Sequence, residues 1–318
     1  MNTLSVKVTR KVEEAEGIAS FELTSASGTP LPPFSAGSHI DVHVRDGIVR
    51  QYSLCNDPTE QHRYLIAVLR DPSSRGGSEA MHDEVAEGAI LQISEPRNHF
   101  PLSPSARTLL LAGGIGVTPL LCMAERLAQI GATFTMHYCT RSSQRTAFRE
   151  RIAQSQFADR VDFHFDDGPA DQKLDLSNVL GAPTSDVNVY ICGPTGFIEH
   201  VLKSAKALGW PDSQLHLEYF GAKPIDTSHD EDFEVKVAST GRCYKVPADK
   251  SVAAVLIENG IDIPLSCEQG VCGTCITRIL DGQPDHRDMY FTSDEKAKND
   301  QFTPCCSRSK GKLLVLDI

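Results

Sequence analysis

The stretch TLLLAGGIGVTP, Thr108 to Pro119, decides the fold. The continuous apolar run from Thr108 to Ala112 reads as a strand buried on both faces, because a strand with one wet face would alternate. Glycines then turn the chain. Thr118 follows as a helix N-cap with Pro119 at the first helical position, and Leu120, Leu121, Ala124 and Leu127 make an apolar stripe that ends before Gly131. Strand, glycine turn and helix in that order predict a parallel sheet covered on both faces.

Downstream, TFTMHYCTR, VDFHFDD and VNVYICGP read as further strands, and Gly196 to Leu208 as a second amphipathic helix. Upstream, from Leu4 to about Pro101, short runs alternate apolar and polar residues between Gly and Pro turns, the pattern of an antiparallel sandwich or barrel. The segment AKPIDTSHDED, Ala222 to Asp232, is polar and acidic without apolar periodicity, and reads as a linker. The expected organisation is a β-barrel module over residues 1–103, an α/β module over 104–223, a linker over 224–231 and a small α+β module over 232–318.

A chain of 318 residues, 40% hydrophobic and 23% charged, is long enough for several cores. Its net charge of -11 argues against nucleic acid, whose phosphates require clustered Lys and Arg. The N-terminus shows no signal-peptide pattern and no stretch approaches a membrane span, so a cytoplasmic protein without a membrane partner is expected. In that compartment ten cysteines point to metal or redox use rather than to a disulfide framework.

Cys267, Cys272 and Cys275 stand as C-x4-C-x2-C, and Cys305 follows after a gap of 29 residues. That is the plant-type spacing for a 2Fe–2S cluster, in which two irons need four thiolates, three from one wrapped loop and one from a distant segment. Gly270 and Gly273 allow the loop backbone close to the sulfurs. A zinc site is the competing reading, although zinc ligands usually come as two short pairs. Extended backbone at Cys305 and Cys306 would turn their side chains to opposite faces, making Cys306 a small apolar residue.

Two further motifs suit a flavin and a dinucleotide. Arg50, Tyr52, Ser53 and Leu54 carry an R-x-Y-S-L pattern that offers a guanidinium for phosphate, a flat ring for the isoalloxazine and a hydroxyl near its N5. Ala67, Val68, Leu69 and Arg70 precede a glycine-rich turn containing Gly77 and Ser78 that opens a short helix, where backbone N–H groups can hold phosphate. Gly114, Gly116, Thr118 and Pro119 lie in the strand-to-helix loop where a dinucleotide pyrophosphate sits in doubly wound folds, while Cys192, Gly193 and Pro194 form a second such loop, with Cys192 beside the nicotinamide. The acidic residue expected about 20 positions beyond the glycine loop is missing. Arg141 and Ser142 stand there instead and could equally accept a 2′-phosphate.

Taken in order, R-x-Y-S, G-G-I-G-V-T-P, C-G-P, H-x-E-Y-F (His216 to Phe220) and the C-terminal cysteine set resemble the phthalate dioxygenase reductase family across the whole chain. The resemblance implies an FMN-binding barrel, an NAD domain and a β-grasp ferredoxin domain. It also implies NADH as donor, with NADPH possible, and a Rieske-type terminal oxygenase as acceptor. Within the site it implies that Phe220 covers the flavin and that Glu218 and Cys192 line the hydride-transfer position. A reductase serving a cytochrome or another ferredoxin, and a redox-sensing module, are the alternative functions.

Overall fold

The computed structural model describes residues 3–45, 47–221 and 226–318, which divide into two compact units, Met1–Phe220 and Gly221–Ile318.

The first unit opens with an antiparallel sheet. Its strands are β1 (Thr3–Ala15), β2 (Ile18–Ser25), β3 (Ser38–Arg45), β4 (Ile48–Ser53), β5 (Tyr64–Leu69), β6 (Ile90–Ser94) and β7 (Arg97–Asn98), in the order β4-β3-β6-β1-β2-β5 with β7 paired to β3. Alternation places Val6, Val8, Phe21, Leu23, Ile40, Val42, Ile66 and Ile93 in one core, as a half-wet strand pattern requires. The outermost strands also approach each other, since the Cys55 N–H just past β4 donates to the Leu65 carbonyl of β5 at 2.9 Å. The short helix α1 (Gly77–Asp83) follows β5.

The rest of this unit is a parallel sheet with strands β8 (Arg107–Gly113), β9 (Thr133–Thr140), β10 (Val161–Phe165), β11 (Val187–Gly193) and β12 (Leu215–Tyr219), ordered β10-β9-β8-β11-β12. Helices α2 (Val117–Gln129), α3 (Arg149–Ala153), α4 (Leu176–Leu180) and α5 (Thr195–Ala207) connect the strands. The helix expected over Gly196 to Leu208 is therefore present, shifted by one residue. The N-cap expectation at Thr118 is corrected: a 3-10 turn over Gly114–Gly116 runs directly into α2, Gly116 occupies the cap, and Thr118 Oγ1 donates back to the Ile115 carbonyl at 3.0 Å. Ile18, Ala36, Cys55, Ala67 and Phe100 pack in one cluster with Leu110, Leu120, Leu121 and Tyr138, so the two sheets share a core.

The second unit contains β13 (Phe233–Val237), β14 (Cys243–Val246), α6 (Val252–Glu258), β15 (Thr277–Asp281), β16 (Pro284–Asp285), α7 (Ser293–Lys298), β17 (Gln301–Phe302), β18 (Arg308–Ser309) and β19 (Leu313–Leu316). Its main sheet runs β14-β13-β19-β15-β17, with β13 and β19 parallel and the other neighbours antiparallel. Val252, Val255 and Leu256 of α6 bury against Val235, Ile279, Leu314 and Leu316.

Of the segment read as a linker, Ala222 to Ile225 lies outside the described residues. Its later part is bound into the second unit. Asp230 is paired with Arg287 at 2.9 Å, the Glu231 carbonyl accepts from Arg308, and Asp232 pairs with Lys245. Acidic composition suggested a solvated tether, but positive partners far along the sequence make these residues structural. No helix among the described residues is long and apolar enough to cross a membrane.

Candidate functional site

The R-x-Y-S strand β4 pairs with β3 so that Ser53 stands opposite His39 and Arg50 opposite Val42. Arg50 Nη1 donates to the Val49 carbonyl at 2.8 Å and Nη2 to the Arg75 carbonyl at 3.3 Å, which brings the guanidinium to the glycine turn at the start of α1. Gly77 must lack a side chain, because a Cβ there would stand 2.6 Å from Arg50 Cγ. Along the same strand the buried Gln51 Nε2 and Tyr52 Oη have no hydrogen-bond partner among the described residues. Buried polar atoms are normally satisfied, so orphaned groups beside a cationic, glycine-lined turn fit a polar cofactor.

Leu54, Ala67 and Val68 are buried, and Leu69 is exposed. Arg70 is paired with Asp83, and Ser78 Oγ accepts the Asp71 N–H at 3.1 Å, so these two side chains hold the turn together. Leu54 through Ser78 thus include frame residues as well as surface available to a ligand.

At the carboxyl ends of the parallel strands, β8 and β11 are neighbours whose connections leave in opposite directions along the sheet, the switch point where such folds bind ligands. Their loops close together to near backbone contact. A Cβ on Gly116 would run into the Cys192 carbonyl, and one on Gly193 would stand 2.9 Å from Gly113 Cα. Gly114 has φ of +53°, the left-handed region that glycine tolerates. Pro194 caps α5 and Pro119 is buried in α2. The missing side chains let the two strand ends pack backbone against backbone.

Cys192 and Glu218 are register partners on β11 and β12. Ser53 Oγ donates to Glu218 Oε2 at 3.3 Å, bringing the antiparallel sheet's motif to the ends of the parallel strands. Burial pushes the Glu218 carboxyl up to about 8, with Ser53 opposing the shift, so it is largely protonated at neutral pH. Burial, then the neighbouring Glu218, pushes the fully buried Cys192 thiol well above its ordinary range. Phe220, just past β12, is 40% exposed. The structure thus groups Ser53, Cys192 and Glu218 and leaves an aromatic ring available close by in sequence.

Arg141 and Ser142 leave the carboxyl end of β9, and the Ser142 carbonyl accepts from Thr140 Oγ1 and Thr146 Oγ1. Two acidic residues missed in the sequence lie beside them. The backbone N–H of Asp166 donates to the Thr140 carbonyl and that of Asp167 to the Arg141 carbonyl. Acidic residues therefore do adjoin this strand end, on the segment just past β10 rather than on β9, and only the parallel register reveals it.

In the second unit the cysteines come together in two pairs. Cys267 and Cys272 are hydrogen-bonded through their side chains, as are Cys275 and Cys305. Backbone N–H groups of Gln269 and Thr274 point at Cys267 Sγ and Cys272 Sγ at 3.3 and 3.4 Å. Among the described residues no group of three or more ligands converges on one metal position. Two thiol pairs fit the two irons of a 2Fe–2S cluster, one pair to each. Gly270 and Gly273 have φ of +71° and +70°, and a Cβ on either would collide with Cys306 Sγ or the Tyr290 ring.

The expectation for Cys306 is corrected. Residues 304–306 form a turn, with the Cys306 and Ser307 N–H groups both donating to the Thr303 carbonyl, so strand alternation does not apply. Cys306 lies against Gly270 of the cysteine loop and is hydrogen-bonded to Cys305.

Residues 235–310 match the family model for the 2Fe–2S iron–sulfur cluster binding domain. The whole chain is 57% identical over 313 residues to vanillate O-demethylase oxidoreductase of Pseudomonas putida, covering 98% of each chain. It is 41% identical to the phthalate 4,5-dioxygenase oxygenase reductase subunit of the same organism, covering 98% of this chain and 96% of that one. The chain belongs to the phthalate dioxygenase reductase family. The solved structure of phthalate dioxygenase reductase, described as a modular structure for electron transfer from pyridine nucleotides to the 2Fe–2S cluster, superposes on it with a TM-score of 0.78 at 39% identity, over 100% of this chain and 98% of that one. This reductase is accordingly an oxidoreductase with ferredoxin-reductase-type flavin and nucleotide regions and a C-terminal 2Fe–2S domain.

Proposed function

We propose that this chain is the reductase component of a multicomponent oxygenase, passing electrons from NADH through FMN and a 2Fe–2S cluster to a Rieske-type terminal oxygenase. The observation that carries the reading is the 3.3 Å hydrogen bond from Ser53 to Glu218, which sets the flavin-type strand against the dinucleotide-type crevice. When bound, the flavin accepts a hydride from the nicotinamide and releases electrons singly to the cluster.

In this reading residues 1–103 form a flavin barrel, 104–223 the nucleotide domain and 232–318 a β-grasp ferredoxin domain. Arg50 and the turn at Gly77 and Ser78 hold the flavin phosphate, with Ala67 to Arg70 walling the site. Tyr52 and Leu54 flank the ring, and Ser53 orients it. Gly114, Gly116, Thr118, Pro119, Gly193 and Pro194 receive the nucleotide, and Arg141 and Ser142 bound its adenosine ribose. Cys192 and Glu218 border the nicotinamide position and exclude water from it, while Phe220 covers the exposed flavin face. Cys267, Cys272, Cys275 and Cys305 ligate the cluster. Among the described residues no disulfide links any of the ten cysteines, which suits a reducing, cytoplasmic setting.

The test is release and mass identification of the cofactors, together with turnover. One FMN with iron and acid-labile sulfide, and NADH-driven reduction of a Rieske oxygenase, are expected. FAD, or zinc without sulfide, would overturn the assignment. A chain cut within Ala222 to Asp226 is expected to reduce ferricyanide but not the oxygenase.

A further inference from the structure

Glu16, in the turn between β1 and β2, reaches the turn that follows β9. Its backbone N–H donates to the Gln144 carbonyl at 2.9 Å. Its carboxylate takes Arg145 in a two-pronged contact, in which Nη2 donates to Oε1 at 2.8 Å and Nε to Oε2 at 3.3 Å. The Gly17 carbonyl accepts the Arg70 N–H at 2.8 Å, so backbone bonds hold the hairpin tip on both sides of the carboxylate. The receiving turn is equally fixed. The Ser142 carbonyl accepts the Arg145 N–H at 3.1 Å and the Thr146 hydroxyl at 2.9 Å, which closes the turn and keeps Arg145 next to Ser142.

An arginine recognises a phosphate best through two parallel N–H groups on one edge of its fork. Glu16 already occupies the Nε and Nη2 edge of Arg145. A 2′-phosphate arriving at this turn would have to displace the carboxylate or lie beside it as a like charge. Either route cancels most of what Arg145 could contribute, whereas a ribose hydroxyl, being neutral, meets neither cost. Arg145 and Glu16 are 43% and 61% exposed, so a nucleotide can reach them, and the effect has the modest size of a screened surface pair.

Resting on the reading that Arg141 and Ser142 bound the adenosine ribose, we propose that Glu16 is a specificity-determining residue: by occupying Arg145 it disfavours a 2′-phosphate, so that the chain prefers NADH although two arginines stand at this strand end. The selectivity is set from outside the nucleotide region, by the hairpin tip of the antiparallel sheet.

Glu16→Gln removes the charge while keeping the side chain's shape and the backbone bond to Gln144. Calorimetry of adenosine 2′,5′-bisphosphate and of 5′-AMP on the full-length protein reads the 2′-phosphate directly, and ferricyanide reduction with NADPH and NADH reads KM and kcat. In Glu16→Gln the affinity for the bisphosphate is expected to rise about fivefold and KM for NADPH to fall to match, with kcat, 5′-AMP binding and KM for NADH unchanged. Arg145→Ala alone is expected to change little, and Glu16→Gln/Arg145→Ala to lose the gain. Bisphosphate affinity that stays unchanged in Glu16→Gln but weakens in Arg141→Asp overturns the inference and leaves the ribose reading standing. A gain that survives Arg145→Ala also overturns it, because the carboxylate would then act without the arginine. Affinities unchanged in Arg141→Asp as well remove the ribose reading, and the inference with it.

Discussion

Ser53 Oγ donates to Glu218 Oε2 at 3.3 Å, although the two residues are 165 positions apart and belong to different sheets. Glu218 should ionise near 4.5 when exposed, but burial raises it to about 8. Between those values the native state holds a proton that the unfolded chain has lost. Stability contributed by this group is therefore present at low pH and is lost as pH rises through that window. In Glu218→Gln the fall in melting temperature between about pH 5 and pH 8 is expected to flatten, measured by thermal unfolding of the flavin-bearing protein. An identical slope in wild type and variant would place the proton elsewhere.

Nucleotide preference should respond to the carboxylates at the end of β10. Asp167, whose N–H is bonded to the Arg141 carbonyl, adjoins the loop proposed to bound the adenosine ribose. Asp167→Ser is expected to raise KM for NADH about tenfold, the value of one charge-assisted hydrogen bond, with little change for NADPH. Arg141→Asp should move preference further towards NADH. Unchanged Michaelis constants in both variants would show that the ribose binds elsewhere.

Gly270→Ala places a Cβ against Cys306 Sγ and 3.0 Å from Asp288 Cα, at a φ of +71°. The left-handed conformation alone costs an L-residue about 1 to 2 kcal/mol. Iron and sulfide content should fall sharply while flavin content stays at one per chain. Full cluster loading in this variant would show that the loop need not approach so closely.

Asp230 is almost fully covered and meets both Arg287 and Arg308, so Asp230→Asn leaves cations without their counter-charge. A loss of about 2 to 3 kcal/mol is expected, towards the low end for a broken buried pair because Arg287 keeps some solvent contact. The melting transition that reports the cluster should drop, and the transition that reports the flavin should not. Equal shifts of both transitions would mean that Asp230 does not act within the second unit alone.

Local chemistry made much of this molecule readable. The apolar run at Thr108 to Ala112 marked a buried parallel strand, and the four cysteines carried their own spacing. What stayed hidden depended on register or on long-range pairing. The start of α2 moved because a 3-10 turn, which has no strong residue signature, merged with the helix at Val117. Asp166 and Asp167 gained meaning only through the pairing of β9 with β10. Asp230 read as a solvated linker residue because its arginine partners lie more than fifty positions away. Cys306 was misplaced because a proline-containing turn replaced the extended segment that alternation assumes.

The central claim, that hydride enters at the crevice joined by Ser53 and Glu218 and that its two electrons leave singly through the four-cysteine cluster, is tested most directly by anaerobic rapid mixing with NADH, watching flavin absorbance and freeze-quenched EPR together. Flavin bleaching should come first and the reduced-cluster signal should follow it, and Ser53→Ala should slow the first step about tenfold or more while leaving the second coupled to it. A cluster signal that appears before or without flavin reduction, or flavin reduction that never reaches the cluster, would contradict the account.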